Sequence, residues 1–375
     1  MIRKWIGIVI SCMYLIGCSQ RIPLEQASLI LLIALDRTPN GEMQVGTSIP
    51  LFHHEKQKST VEHWVQASTI YDGFSKMDTK LTGYVTSSKA EVILIGKKFV
   101  QEENWIQALD SSYRDPYATI NAKVVIVDGS PKSILKIHRS DKPALSSYIS
   151  GVIDASIQNN QSVSSTVQQL MREKNEQGMT QTVPIIKEIN NEIDTVGIVF
   201  LDPKGKYLTK IPKNDVKFFN LISKSKSKGR IILHVVLSQK KSSQKPNTSV
   251  LVQDAKRKIN VDFRKGKFIF NINVSMNVSL IEKTNGNITK NRLYSSKHIN
   301  KLEHEIQGEL NGKLKSMVQD MQRNKIDPIG LSLYARAFQY KEWKKAKKDW
   351  LQTLSKAKIC VNTQVKIKNT GTIRN

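Results

Sequence analysis

Phe268-Ile269-Phe270-Asn271-Ile272-Asn273-Val274-Ser275-Met276-Asn277-Val278-Ser279-Leu280 decides how this chain folds. Phe268, Phe270, Ile272, Val274, Met276, Val278 and Leu280 are apolar at spacing two, with asparagines and serines between them from Asn271 to Ser279. Successive side chains of a strand point to opposite faces, so this spacing predicts a long strand with one buried face and one polar face.

Downstream, Ile299, Leu302, Ile306, Leu310, Leu314, Met317 and Met321 recur at steps of three and four. That spacing places them on one stripe of a helix from about Ile299 to Arg323, packed on the sheet. Asp327-Pro328-Ile329-Gly330 ends it, and a second helix is expected from Leu331 to Phe338. Trp343 and Trp350 lie in a basic amphipathic segment, and Ile359, Val361, Thr363, Val365 and Ile367 share one face of a last strand. Helices on one side of a mostly antiparallel sheet make this half α+β.

Upstream the pattern changes. Leu29 to Leu35, Val92 to Gly96 and Val124 to Val127 are continuous apolar runs of strand length. Met43 to Ile49 reads as a hairpin partner of the first run, across the turn Thr38-Pro39-Asn40-Gly41. A helix is expected from about Glu62 to Met77, and another begins near Val100. In Asp128-Gly129-Ser130-Pro131, Ser130 is placed as a helix N-cap with Pro131 at the first helical position. Val196 to Leu201 followed by Asp202-Pro203-Lys204-Gly205-Lys206 reads as a strand and tight turn opening a second domain. The expectation is an α+β protein in two sequence regions, residues 18–194 and 195–375, compatible with two or three compact domains. Each region should be a mostly antiparallel sheet with helices packed on it.

The N-terminus carries a processing signal. Arg3 and Lys4 precede a mostly apolar run from Trp5 to Ile16, ending in Leu15-Ile16-Gly17-Cys18. A run of about a dozen falls short of the roughly 20 residues of a membrane span and has the length of a secretory h-region. Small-residue-then-cysteine is the bacterial lipobox pattern. Residues 1–17 are expected to leave as a lipoprotein signal peptide, cut between Gly17 and Cys18, with the Cys18 thiol carrying diacylglyceryl lipid. Nothing after residue 17 has the length and apolarity of a span.

The chain has 58 basic and 32 acidic residues, a formal net charge of +26. Such basicity suits nucleic acid, an anionic membrane surface or an anionic wall polymer. For an exported lipoprotein, compartment favours an anionic phospholipid surface over nucleic acid, each nearby cation adding on the order of 1 kcal/mol; the alternative is that the charge only keeps the surface soluble. Of three cysteines, Cys12 would leave with the signal and Cys18 would be lipidated, so Cys360 is left without an intramolecular disulfide partner.

No catalytic pattern emerges. The seven histidines make no His-Glu-x-x-His, and no paired cysteines have zinc spacing. His298 and His304 fall on different helix faces, and Glu102, Glu103 and Asp110 read as a solvated acidic face. Cys360, off the apolar parity of its strand, reads as a packed or semi-buried thiol. No metal or cofactor is called for, although catalytic groups can be scattered in sequence.

From end to end the chain resembles the C subunit of bacterial spore germinant receptors, the spore germination lipoprotein family. The resemblance is carried by Cys18 and Asp36, by Arg114-Asp115-Pro116, by Gly129-Ser130-Pro131, and by Val196-Gly197-Ile198-Val199-Phe200 with Asp202 and Lys206. It continues through the long helix, Asp327, Trp343, Trp350 and the last strand reaching Ile367 and Gly371. After Cys18 the chain departs from the family, with Ser19, Gln20 and Pro23 where members commonly have tryptophan, aspartate and glutamate. The resemblance implies a non-enzymatic lipoprotein on the outer leaflet of the spore inner membrane. It would assemble with two integral membrane subunits that respond to nutrients, and hold no small-molecule ligand itself. The alternatives are a lipid-anchored extracytoplasmic solute-binding protein, which should show two doubly wound lobes, and a wall-active enzyme with a carboxylate pair or zinc ligands in a cleft.

Overall fold

The structure, a computed structural model, describes residues 27–50, 60–81, 83–102, 104–137, 143–227, 229–236, 247–283 and 296–369. Gly17 and Cys18 lie outside these residues, as do Glu103 and Gly371.

Fifteen strands form three sheets among the described residues. Strands β1 (Ala27–Leu29) and β5 (Tyr84–Thr86) pair in parallel as a small ribbon. An eight-stranded sheet contains β2 (Leu32–Arg37), β3 (Met43–Pro50), β4 (Thr60–Gln66), β6 (Val92–Gly96), β7 (Lys123–Val127), β8 (Thr182–Ile189), β9 (Glu192–Leu201) and β10 (Tyr207–Pro212). Their order is β10-β9-β8-β7-β6-β2-β3-β4, with a parallel centre and antiparallel hairpins at both ends.

The continuous apolar runs exist because this sheet is covered on both faces. Ile33, Leu35, Ile93, Ile95, Val124 and Ile126 enter one core, and their neighbours Leu32, Ala34, Val92, Leu94, Val125 and Val127 enter another. The first core receives α1 (Ile70–Asp78) and α5 (Val167–Asn175); α2 (Asp110–Arg114) lies at its edge. The second receives α3 (Pro131–Leu135) and α4 (Leu145–Gln158). The expected helix over Glu62–Met77 is instead strand β4 followed by α1. Thr69 caps α1 by accepting from Asp72 N, and Trp64 of β4 covers Gly46, where a Cβ would come within 2.7 Å of the indole. The helix expected from Val100 is a pair of short 3-10 turns leading into α2.

The third sheet has one covered face. It contains β11 (Lys226–Ser227), β12 (Ile231–Val236), β13 (Asn247–Arg264), β14 (Lys267–Lys283) and β15 (Lys358–Asn369). Strands β13 and β14 form a long hairpin, and β15 runs parallel to β14. The even-numbered apolar residues of β14 are buried under α6 (Val216–Ser223), α7 (Ser296–Arg323), α8 (Leu331–Phe338) and the short helices α9 (Tyr340–Ala346) and α10 (Trp350–Ser355). Leu302, Ile306, Leu310, Leu314, Val318 and Met321 of α7 are buried there, with Ile299 and Met317 partly so. At roughly 1.5–3 kcal/mol per buried aliphatic side chain, this stripe fixes the helix on the sheet. Helix α7 also caps the edge strand: Asn311 accepts from Thr363 N at 2.9 Å and Glu303 from Ile367 N at 2.7 Å, so these edge amides are taken.

The expected division between residues 194 and 195 falls inside β9. That strand and its hairpin partner β10 belong to the eight-stranded sheet, and β9 serves two cores at once: Val199 and Leu201 face the first, Ile198 and Phe200 the core of the third sheet. Gly197 makes this crossing at φ +148°, where a Cβ would sit 2.0 Å from Ile211 O.

Candidate functional site

The residues singled out in the second region converge on the junction between the large sheet and the C-terminal helices. Asp327 lies in the loop between α7 and α8 and is 1% exposed. Its Oδ1 accepts from Leu331 N at 2.8 Å, and its Oδ2 from Ser332 N at 2.7 Å and Trp350 Nε1 at 3.0 Å. The carboxylate therefore caps the start of α8 and pins α10 to it. Its backbone reaches the first region: Asp327 N donates to Thr180 Oγ1 at 2.8 Å, and Thr180 N donates to Asp327 O at 3.1 Å. Burial pushes this carboxyl up to about 6, against the opposing pull of the N–H donors.

Ser332 extends the network. Its hydroxyl donates to Gln177 O at 2.7 Å and accepts from Trp343 Nε1 at 3.0 Å. Both spaced tryptophans are thus held through their only polar atom, and the Trp350 ring packs edge-on against Phe268, 5.4 Å between centroids. Gly178, at φ +83°, lies so close to Trp350 that a Cβ would come within 2.3 Å of the indole. Arg336 closes the rim on Glu176 at 2.5 Å, 5.7 Å from the Trp343 ring centroid. This junction is built to hold, with no open space for a substrate between Asp327 and its donors.

The first-region motifs are also structural. Ser130 Oγ hydrogen-bonds Asp36 Oδ2 while accepting from Lys132 N, so Asp36 at the end of β2 holds the start of α3. Gly96 leaves room for it, since a Cβ there would meet Asp36 Oδ1 at 2.3 Å. Asp202 folds its turn by accepting from Lys204 N and Lys206 N, both at 2.8 Å. Arg114 pairs with Asp110 at 2.6 Å, and Asp115 binds the Tyr71 hydroxyl. Glu102 pairs with Arg37 rather than with a second acid. His304 Nδ1 contacts Asn300 O, and Cys360 is a half-buried free thiol on the outer face of β15, opposite Asn271. Among the described residues no three His, Cys, Asp or Glu side chains gather as a metal site.

The outer face of the third sheet is polar and basic. A cleft of about 530 Å³ lies over β13, β14 and β15, lined by Lys226, Lys256 and Lys258 with Asn273, Ser275 and Gln364. These lysines gain no carboxylate partner among the described residues. Arg257, pointing to the opposite face, donates to Ile222 O at 3.0 Å and to the Tyr334 hydroxyl at 2.8 Å, while its buried Nε has no partner. Sequence reading missed β13 and therefore this cleft; the signal available was Lys256 and Lys258 at spacing two. No helix among the described residues is long and apolar enough to cross a membrane.

Comparison with known proteins gives this architecture a family. Residues 20–188 match the spore germination protein N-terminal domain, and residues 195–371 match the spore germination B3/GerAC-like C-terminal domain. The chain is 20% identical over 371 residues to the spore germination protein GerQC of Bacillus cereus, covering 98% of this chain and 99% of that protein. Its fold matches the crystal structure of the GerBC protein with a TM-score of 0.58 at 17% identity, over 90% of this chain and 97% of that one. The chain belongs to the spore germination GerAC-like family, the C subunits of germinant receptors.

Proposed function

We propose that this C subunit is a lipid-anchored, non-enzymatic component of a nutrient germinant receptor on the outer leaflet of the spore inner membrane. It assembles there with two integral membrane subunits, and nutrient recognition resides in those subunits. The observation that carries the reading is the ordered match of both halves of the chain to the two germination domains. The side chains that sequence reading singled out support it, because Asp36, Asp202, Asp327, Trp343 and Trp350 are spent on holding the fold. The solute-binding alternative calls for two doubly wound lobes; the third sheet here is an antiparallel hairpin with one strand added in parallel, open on one face.

Anchoring rests on Cys18. Two acyl chains on one residue anchor stably where a single chain does not, and the strong positive charge that remains after Arg3 and Lys4 leave with the signal peptide adds attraction to anionic phospholipid that salt weakens. Cys18→Ala should leave the precursor uncut after Gly17 and abolish fatty-acid labelling; a Cys18→Ala protein that still takes up label contradicts the anchor. Affinity purification of the tagged subunit from spore inner membrane should bring down two multi-span proteins, and recovery of the subunit alone contradicts the assembly.

A further inference from the structure

The Arg114-Asp115-Pro116 motif has a structural product that the receptor assignment leaves unused. Tyr71, Tyr84, Tyr113 and Tyr117 are exposed at 39%, 58%, 45% and 74%. Asp115 organises this surface. One of its oxygens binds the Tyr71 hydroxyl, and the other accepts from Tyr117 N at 2.8 Å, which folds the turn through Pro116. Tyr84 lies on β5, which packs against the helix α1 that carries Tyr71. Asp115 thus ties the Tyr71 ring to the backbone of Tyr117, and Tyr84 flanks Tyr71 from the adjoining strand β5. Lys80 and Lys89 are exposed close by in sequence, after α1 and β5, as is Arg114.

The position of this patch relative to the N-terminus says what it meets. Tyr84 pairs with Ala27 in the β1–β5 ribbon. Ala27 is nine residues from Cys18. Nine residues reach at most about 30 Å fully extended. A lipid on Cys18 thus holds this ribbon, and the tyrosines beside it, close to the bilayer. Tyrosine suits that depth, because its ring enters the hydrocarbon boundary while its hydroxyl stays among the headgroups. Neighbouring lysines meet the phosphates there.

We propose that the surface formed by Tyr71 and Tyr117 at Asp115, with Tyr84 beside Tyr71, seats on the bilayer at headgroup depth and orients the subunit. The proposal rests on the reading that Cys18 is lipidated. Mature, lipidated protein carrying Cys360→Ser and Tyr117→Cys, labelled at residue 117 with an environment-sensitive fluorophore, is reconstituted on phosphatidylglycerol–phosphatidylcholine vesicles. Tyr84→Cys labelled in the same way provides a second site, and Lys315→Cys on the exposed side of α7 provides the remote control. Flotation with the vesicles reports the anchor separately. Expected is flotation of all three proteins, with blue-shifted emission at 117 and 84 that is quenched by headgroup-proximal bromolipid, and no change at 315. Flotation with unchanged emission at both tyrosine positions overturns the seating while the anchor stands. Shifts that appear only after the membrane subunits are added overturn it in favour of a protein contact. Failure of the processed proteins to float overturns the anchor and the seating together.

Discussion

Asp327→Ala tests the junction most sharply. The substitution leaves Leu331 N–H, Ser332 N–H and Trp350 Nε1–H without their acceptor in a site 1% exposed. Each stranded donor costs roughly 1–3 kcal/mol, with some relaxation shared among the three. Against this, the variant no longer buries a carboxylate whose titration is raised from 3.8 to about 6. At 1.36 kcal/mol per pH unit that offsets on the order of 3 kcal/mol at neutral pH. The net expectation is a loss of about 3 kcal/mol at pH 7, measured by urea unfolding followed through tryptophan fluorescence. Because Trp350 itself loses a partner, its native emission should shift as well. A loss below about 1 kcal/mol with unchanged native emission would refute the assignment of Asp327 as the pin between α8 and α10.

Two further outcomes follow from the same structure. Leu310, 1% exposed under the third sheet, should cost about 2–5 kcal/mol when truncated to Ala; a change under about 0.5 kcal/mol would show that the stripe of α7 does not face the sheet. Burial raises Asp327 to about 6 and Glu173 to about 7, above their ordinary values of 3.8 and 4.5. These two groups therefore bind more protons in the folded chain than in the unfolded one between about pH 4 and 7, so their contribution to stability should fall as pH rises through that window. Asp327→Asn should flatten the lower part of this slope, and a slope that Asp327→Asn leaves unaltered would show that another group sets it.

What the sequence disclosed depended on how many faces of each strand meet water. The alternation from Phe268 to Leu280 was readable because one face is solvated, and the runs around Ile33, Ile93 and Val125 because both faces are covered. Strand β13 escaped because a register shift between Val252 and Asp254 breaks its period and Arg257 occupies an inward position. That cation is partly compensated by Ile222 O and Tyr334, which accept from it across 35 and 77 residues of sequence, while its Nε is left unpaired. The same limit hid the junction. Asp327, Trp343 and Trp350 stand out in the sequence, but their link to Thr180 and Gln177 crosses about 150 residues and exists only after folding. The placement of β9 shows a related effect. Its strand character was plain, whereas membership of the eight-stranded sheet depends on the β8 pairing and on Gly197.

The receptor assignment is tested most directly by deleting the gene for this chain in a strain without a redundant receptor and scoring germination. Spores should lose germination triggered by nutrients and keep germination triggered independently of them, and expression of the unaltered chain should restore the response. Normal germination on every nutrient after deletion would contradict the account.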